Sequence, residues 1–242
     1  MRSNSEKSLS FSAIVTFHRE GLLAHRTLRS IDVCRQYAES KGIRCRILCS
    51  LDNADATTSS TVKDSPFLRD DDIVVDLSVG DLGTCRNELI SLAKSDFVGT
   101  FDGDDYFSSN WIYESVILAS SDSRYICHPE IIVTFGGEKH WWRQPDQLND
   151  KIDKTLLFTI NPWNACMVTN TALAKQYRYS SVDPKRGVGF EDWHWNSDTM
   201  AAGKVHRTVP QTTRFERRKL FGSLCSEHES AKTIIGNTPL FD

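Results

Sequence analysis

The sequence predicts an α/β fold built around a mainly parallel central sheet flanked by helices. Short apolar segments rich in β-branched residues alternate, in the first half of the chain, with segments whose apolar residues recur every three or four positions. The first pattern is typical of buried strands and the second of amphipathic helices. Strands that alternate with helices form βαβ units, and the strands of such units run parallel. A chain of 242 residues is long enough to bury a sizeable core around such a sheet.

The first half supplies most of the predicted elements. Strands are expected at residues 11–17, 44–51, 73–77 and 97–101, because each is a short run of mostly apolar side chains. Two helices are expected between them. The first carries an apolar stripe formed by Ala24, Leu28, Ile31 and Ala38. The second carries a stripe formed by Leu82, Cys85, Leu89 and Leu92.

The second half is less regular. Strand material at residues 125–135 is interrupted by Pro129, and residues 136–150 form a polar loop with two tryptophans. A short strand is expected at 165–169, a helix at 191–202 that Gly203 ends, and a last strand at 204–209.

Composition excludes several classes of protein. The net charge of -3 argues against a general nucleic-acid binder, which usually carries a basic surplus. The seven cysteines are dispersed and contain no C-x-x-C pair, so neither a zinc site nor a disulfide framework is expected. Neither a signal peptide nor a transmembrane segment is predicted, because the first eight residues lack an apolar core and no run approaches the roughly 18 apolar residues that span a bilayer. We expect a cytoplasmic protein, or a cytoplasmic module of a longer one.

Polar residues follow three of the predicted strands. They are Thr16 to Glu20, Asp52 to Asp55, and Asp102 to Asp105. In parallel α/β sheets, ligands bind beyond the carboxyl ends of the strands. These three segments are therefore expected to line one cleft.

The strongest of these signals is the sequence Asp102-Gly-Asp-Asp105. Clustered carboxylates repel one another unless a positive charge neutralises them, and Mg²⁺ or Mn²⁺ suits oxygen ligands and also binds phosphate. Gly103 would let a ligand approach the backbone closely. The alternative is a solvated acidic turn, since Asp and Gly are common in turns.

A second acidic signal is the pair Glu191-Asp192 at the start of a predicted helix. Acids are favoured there by the helix dipole alone. However, Phe190, Trp193 and Trp195 surround the pair. A carboxylate among aromatic rings can have a raised pKa and act as a base, while aromatic faces suit stacking against a sugar ring.

Arg86 lies beside the apolar stripe of the helix that precedes the acidic cluster, near the N-terminal end of that helix. Its guanidinium is suited either to pairing with Asp102 or to facing a phosphate. The alternative is a solvated arginine on the helix surface.

These motifs, in this order, resemble the family 2 glycosyltransferases, which have the GT-A type fold. The resemblance covers about residues 10–220 and rests on the segments FSAIVTFHREG, RILCSLDNAD, GTCRNELISLAKSDFVGTFDGDDYFSSNWI and GFEDWHW. The third segment follows the family's pattern up to its DxDD motif, and the fourth resembles its acceptor-side ED motif. The sequence departs from the pattern at Cys85, where the family has alanine, and at Asn53-Ala54, where further acids are common. No histidine is assigned as a metal ligand, because His206 precedes the position expected for one.

The resemblance implies an inverting, metal-dependent glycosyltransferase that moves a sugar from a nucleotide-diphosphate sugar to an acceptor hydroxyl. It implies a nucleotide-binding sandwich at residues 11–222, divided into a nucleotide-sugar half at 11–107 and an acceptor half at 108–222. A disordered lead-in at 1–10 and a C-terminal tail at 223–242 would flank it. The acceptor would be a glycan or a lipid-linked glycan in polysaccharide biosynthesis, with the enzyme in the cytoplasm, at most in peripheral contact with the inner face of a membrane.

The same resemblance implies the site residues. Asp192 would be the catalytic base, with Glu191 as the alternative or as the group that orients the acceptor. The metal, Mn²⁺ or Mg²⁺, would be held by Asp104 with Asp102 and Asp105. The donor would contact Thr16, His18, Glu20, Asp52, Arg86, Asp102, Gly103, Arg217 and Arg218. The acceptor would contact Trp163, Trp193 and Trp195. Residues 214–222, a basic run beyond the last strand, would close over the donor diphosphate.

Two other classes fit less well. A nucleotidyltransferase also uses paired acids and Mg²⁺ on an α/β layer, but its first loop is rich in glycine, and residues 16–21 contain only one. A non-catalytic carbohydrate-binding module would present tryptophans on its surface. Such a module has no need of acids at both positions.

Overall fold

The computed structural model describes residues 8–183, 186–219, 230 and 232–242. Nine strands form one sheet in the order β3-β2-β1-β4-β8-β6-β9-β5, with β7 paired to β6. The first four strands are parallel to one another, while β8 runs antiparallel to both β4 and β6. The expected α/β architecture with a mainly parallel sheet is confirmed.

The elements of the first half follow the predicted order. They are β1 (Ser10–Phe17), α1 (Leu23–Ser40), β2 (Arg44–Asp52), α2 (Ala56–Lys63), β3 (Ile73–Leu77), α3 (Leu82–Leu92), β4 (Phe97–Asp102) and β5 (Tyr106–Phe107). Of the expected lead-in, residues 1–7 lie outside the described residues, and Ser10 already belongs to β1.

The second half contains α4 (Trp111–Ser120), β6 (Tyr125–Gly136), β7 (Trp141–Arg143), β8 (Val168–Asn170), α5 (Thr171–Gln176), α6 (Glu191–Ala201) and β9 (Val205–Arg218). Short 3₁₀ helices occupy Lys154–Phe158 and Pro239–Phe241. Of the expected C-terminal tail, residues 223–229 and 231 lie outside the described residues. No helix in the described ranges is both long and apolar enough to cross a membrane.

Three predictions for the second half are corrected. Pro129 does not interrupt β6, because the register with β9 shifts between Pro129 and Ile131 and so accommodates a residue without a backbone N–H. The loop expected at 136–150 contains β7, which pairs with β6. The last strand continues to Arg218, so the basic run begins inside β9 instead of after it. Residues 220–222 of that run lie outside the described residues.

The core is divided by the sheet. On β1, Phe11, Ala13, Val15 and Phe17 belong to one hydrophobic cluster, together with residues of α1 and α4. Ile14 belongs to the other cluster, together with residues of α3 and α5. The alternation follows from the two-residue period of a strand.

Candidate active site

The carboxyl ends of β1, β2 and β4 bring three predicted donor residues together. Thr16 lies opposite Ser50 on β2 and opposite Asp102 on β4. Asp52 is two residues beyond Ser50, so it shares a sheet face with Thr16 and Asp102. The acids expected to line one cleft therefore lie on one face of the sheet, at one edge.

Asp52 organises the loop beside this edge. Its carboxylate accepts hydrogen bonds from the backbone N–H groups of Val79, at 2.7 Å, and Gly80, at 2.9 Å. The ring of His18 contacts the carbonyl oxygen of Asp52 at 2.6 Å, and the His18 side chain is otherwise exposed at the rim. Glu20 accepts from the backbone N–H of His18. Burial raises the pKa of Glu20, although that hydrogen bond and Lys219 oppose the rise.

Arg214 of β9, which the sequence did not single out, neutralises two acids of the DxDD cluster. Its side chain is buried and donates to Asp102 at 2.6 Å and to Asp105 at 2.6 Å. Burial alone would raise the pKa of Asp102, but Arg214 and Arg86 outweigh it and hold that pKa below its usual value. Burial raises the pKa of Asp105 to about 7, against the opposing charge of Arg214.

Asp104 is the acid of this cluster that Arg214 does not engage. It pairs with the partly exposed ammonium of Lys219 at 2.9 Å. Within the residues that the structure describes, no group of three or more His, Cys, Asp or Glu side chains is arranged to hold a metal ion. The set of three carboxylate ligands stays a prediction, and Arg214 already engages two of its members, Asp102 and Asp105. Asp104 is the one left for a cation.

The role expected of Gly103 is also corrected. A Cβ atom at this position would lie 2.6 Å from Cδ1 of Phe17 and 2.7 Å from the carbonyl oxygen of Thr16. The glycine is thus required because the acidic loop packs directly on the end of β1, and the close approach is made by the protein's own atoms.

Arg86 joins the two acidic motifs. Its guanidinium is fully buried and donates to Asp102 at 2.9 Å and to Glu191 at 2.8 Å. It also lies 5.3 Å from the ring centroid of Tyr179. Of the three roles considered for this residue, pairing with Asp102 is the one observed. A solvated or phosphate-facing arginine is inconsistent with this burial.

The helix α6 begins at the second acidic motif under backbone strain. Phe190, just before the helix, has φ 56° and ψ 61°, a left-handed conformation that is uncommon for a bulky residue. Such strain often marks functional sites. The conformation places Glu191 and Asp192 in the first turn, where Glu191 is buried against Arg86.

Asp192 has no such partner. Its oxygens accept hydrogen bonds from the backbone N–H of Trp193 at 2.8 Å and from the side-chain amide of Asn161 at 3.2 Å. Burial and the neighbouring charge of Glu191 raise the pKa of Asp192 to about 7, although Arg86 acts in the opposite direction. A carboxylate with that pKa is suited to accepting a proton near neutral pH.

The tryptophans expected to contact the acceptor are divided by burial. Trp163 and Trp195 are 1% and 2% exposed, so their rings belong to the core. Trp163 stacks on His206 with ring centroids 4.1 Å apart. Trp193 is partly exposed and packs edge-on against Phe190. The assignment of three acceptor-stacking tryptophans is corrected to Trp193.

The two basic residues at the end of β9 point to opposite faces of the strand. Arg218 shares the face of Arg214 and pairs with Glu216 at 3.0 Å. Arg217 lies over the ring of Phe135 at 4.6 Å and donates to the hydroxyl of Tyr106 at 3.0 Å. The expected donor contact of Arg218 stays a prediction, while the guanidinium of Arg217 is engaged on the opposite face of β9.

A sequence model described as glycosyl transferase family 2 matches residues 12–183. No curated protein matches the sequence.

Among solved structures, TarS 1-349 of S. aureus in complex with UDP-GlcNAc is similar with a TM-score of 0.66 and 15% identity, over 90% of this chain and 61% of that one. TarS of S. aureus is similar with a TM-score of 0.65 and 15% identity, over 87% of this chain and 37% of that one. TarS 1-349 in complex with UDP is similar with a TM-score of 0.57 and 16% identity, over 87% and 61%. The chain therefore spans less than two thirds of the length of these structures, and the likeness shows the GT-A type fold.

Proposed function

The chain belongs to glycosyl transferase family 2, and from that premise we propose that it moves a sugar from a nucleotide-diphosphate sugar to an acceptor hydroxyl, with inversion at the anomeric carbon. The observation that carries the proposal is the buried Arg86, which holds Asp102 of the donor edge and Glu191 of the second acidic motif in one assembly. A donor bound at the strand ends and an acceptor bound at the start of α6 would then meet. Neither a nucleotidyltransferase nor a binding module needs this juxtaposition.

We propose UDP-GlcNAc as the first donor to test, because the similar structures include a complex with UDP-GlcNAc and one with UDP. The loop that Asp52 anchors and the residues after β1 would receive the nucleotide. This assignment is supported by their common position at the carboxyl edge of the sheet.

Asp192 is proposed as the general base. The acceptor hydroxyl must lose a proton as it attacks the anomeric carbon, and the carboxylate of Asp192 has the raised pKa and partial exposure that this task needs. The carboxylate of Glu191 is already bonded to Arg86, so Glu191 would fix the position of the helix start and orient the acceptor. Direct attack by the acceptor inverts the anomeric carbon without a covalent enzyme intermediate.

The leaving diphosphate needs positive charge. Arg218 lies on the same face of β9 as Arg214, and Lys219 follows it in the chain. These two side chains are the cations available to the diphosphate. Asp104 would also hold Mg²⁺ or Mn²⁺, since Mg²⁺ is usually bound through one or two carboxylates together with substrate phosphates. A metal there would supply charge stabilisation for the diphosphate. Chelation with EDTA should then abolish transfer, and full activity in chelator would contradict metal dependence.

The acceptor proposed is a glycan or a lipid-linked glycan, which would place the reaction in polysaccharide biosynthesis in the cytoplasm, at the inner face of a membrane. Trp193 and Phe190 lie beside Asp192 and offer aromatic faces to such a sugar.

The reaction class is tested by its products. UDP-GlcNAc and Mn²⁺ are supplied with and without a panel of glycan acceptors, and the released phosphates are separated by chromatography. Release of UDP that an acceptor accelerates supports glycosyl transfer. Release of pyrophosphate would identify a nucleotidyltransferase, and binding without any release would identify a carbohydrate-binding module.

A further inference from the structure

Asn161 contacts the proposed base from outside both acidic motifs. It lies in the connection between the 3₁₀ helix at Lys154–Phe158 and β8, and its side-chain amide donates to Oδ2 of Asp192 at 3.2 Å. Pro162 follows it and restricts the backbone of Asn161 to extended conformations. The contact therefore comes from a constrained segment of chain.

A hydrogen-bond chain fixes which way the amide of Asn161 points. The side-chain amide of Asn196 donates to the carbonyl oxygen of Trp163 at 3.3 Å, and a backbone carbonyl can only accept. The same NH₂ group donates to Oδ1 of Asn161 at 2.9 Å. Oδ1 of Asn161 is thus occupied, and its NH₂ group must face Asp192.

The helix supports this arrangement. Asn196 is buried and follows Asp192 by one turn of α6, so both side chains lie on the same face of the helix. Asn161 bridges them, and Trp193 donates to the other oxygen of Asp192 from the helix backbone. Each carboxylate oxygen then still has a lone pair for an acceptor hydroxyl, because an ionised carboxylate has about four acceptor sites.

We propose that Asn161 is a positioning residue that holds the carboxylate of Asp192 in the orientation needed to accept the proton of the acceptor. The proposal rests on the function proposed above, and it assigns the orientation of the base to a residue outside the DxDD and ED motifs. Asn161 touches neither the DxDD cluster nor Arg86 through a hydrogen bond, so its effect on the donor is expected to be small.

Among the residues that the structure describes, the charged and titratable groups that act on Asp192 include Glu191 on the same helix, Arg86 on α3, Asp102 on β4 and Tyr179. None of them changes when Asn161 is replaced. Asn161→Asp keeps the size and the bond from Asn196 but presents an oxygen to Asp192. It should raise the pKa of Asp192, whereas Asn161→Ala removes the donor and should raise it less.

The first measurement needs no substrate. The carboxyl carbon of Asp192 is followed by NMR as a function of pH, with Asp192→Asn identifying its signal. The midpoint should move upward in Asn161→Ala and further in Asn161→Asp. Asn170→Asp is the matched control, because Asn170 caps α5 through its oxygen, at 2.8 Å from the N–H of Leu173, and Asp is an equally good cap. Midpoints that stay at the wild-type value in both variants would overturn the proposal.

The second measurement is turnover, as UDP release from UDP-GlcNAc. Asn161→Ala should lower kcat by roughly ten- to a hundredfold, the scale of a misplaced catalytic group, with the donor KM unchanged. In an Asp192→Asn background the same change should have almost no further effect, because its target is gone. Additive losses would show a structural role and reject the positioning role. Near-normal turnover in Asp192→Asn alone would instead remove the proposed base, so the two failures are distinguishable.

Discussion

Asp102 and Asp192 belong to the two acidic motifs that Arg86 joins, but their surroundings differ. Asp102 lies between two buried arginines, and their charges outweigh burial and lower its pKa. Within the part of the chain that the structure describes, Asp192 accepts hydrogen bonds from a backbone N–H and a side-chain amide, and burial together with Glu191 raises its pKa to about 7. The number of cations that bond directly to each carboxylate therefore separates an acid held permanently charged from one that can exchange a proton.

The largest expected effect is on turnover and tests the second half of this comparison. Asp192→Asn should reduce kcat about 10²- to 10⁴-fold, the usual contribution of a general base. Donor affinity, measured by calorimetry, should stay nearly unchanged, because the donor edge lies at the strand ends. Glu191→Gln should reduce kcat less, since Glu191 is bonded to Arg86. Loss of turnover in Glu191→Gln alone would transfer the role of base to Glu191.

The next effect is on stability and tests the group that joins the two motifs. Arg86→Met leaves Asp102 and Glu191 without this buried cation, and breaking a buried ion pair costs about 3–5 kcal/mol. The free energy of unfolding, obtained from urea denaturation, should fall by that amount. Arg46→Met is the matched control, since Arg46 pairs with Asp71 at 3.4 Å on the surface and such pairs contribute about 0–1 kcal/mol. Equal losses in the two variants would show that Arg86 does not hold the site together.

The two carboxylates should also affect stability in opposite directions as pH changes. The pKa of Asp192 is raised on folding, so its stabilising contribution is present below about pH 4 and is lost as the pH rises towards about pH 7. The pKa of Asp102 is lowered on folding, so its contribution is present above about pH 4 and is lost as the pH falls.

Melting temperatures of Asp192→Asn and Asp102→Asn, each compared with the wild-type chain from about pH 2 to pH 8, test these signs. Asp192→Asn should gain relative to the wild type as the pH rises from about 4 to about 7, and Asp102→Asn should lose relative to the wild type as the pH rises through the range below about pH 4. A difference of 1 kcal/mol shifts the melting temperature by roughly 2–4 °C in a chain of this size. Parallel curves for the two variants would contradict the difference in protonation.

The sequence predicted the elements of the first half of the chain well for a physical reason. Strands such as Ile73–Leu77 and helices such as α3 are long enough for their apolar residues to repeat with a single period. Their burial depends on elements that are close to them in the sequence. The short helices α2, α4 and α5 were not foreseen, because two or three turns are too short to show a helical period.

The site was predicted in part for a related reason. The acids are visible in the sequence because they cluster, but their partners come from distant parts of the chain. Arg214 lies more than a hundred residues after Asp102, and Asn161 lies 31 residues before Asp192. The burial of Trp163 and Trp195 was equally invisible, since an aromatic residue beside acids has the same local pattern in a core as on a surface. Sheet pairing and helix packing, not local pattern, decide these contacts.

The smallest expected effect distinguishes the acids of the donor edge from one another. Arg214 is buried between Asp102 and Asp105, whereas Lys219 is 32% exposed where it meets Asp104 at 2.9 Å. A partly exposed pair contributes about 1 kcal/mol at most, so a divalent cation has to displace only a weakly held ammonium.

Lys219→Gln should raise the affinity for Mn²⁺ in the absence of donor by up to roughly fivefold, the factor equivalent to about 1 kcal/mol. The electron paramagnetic resonance signal of free Mn²⁺ measures this affinity. Asp104→Asn should remove the binding, and Lys63→Gln, which breaks an exposed pair with Asp76, should leave it unchanged. An unchanged affinity in Lys219→Gln would mean that Lys219 and the metal do not compete for Asp104, and the metal would then have to be sought at another group of the donor edge.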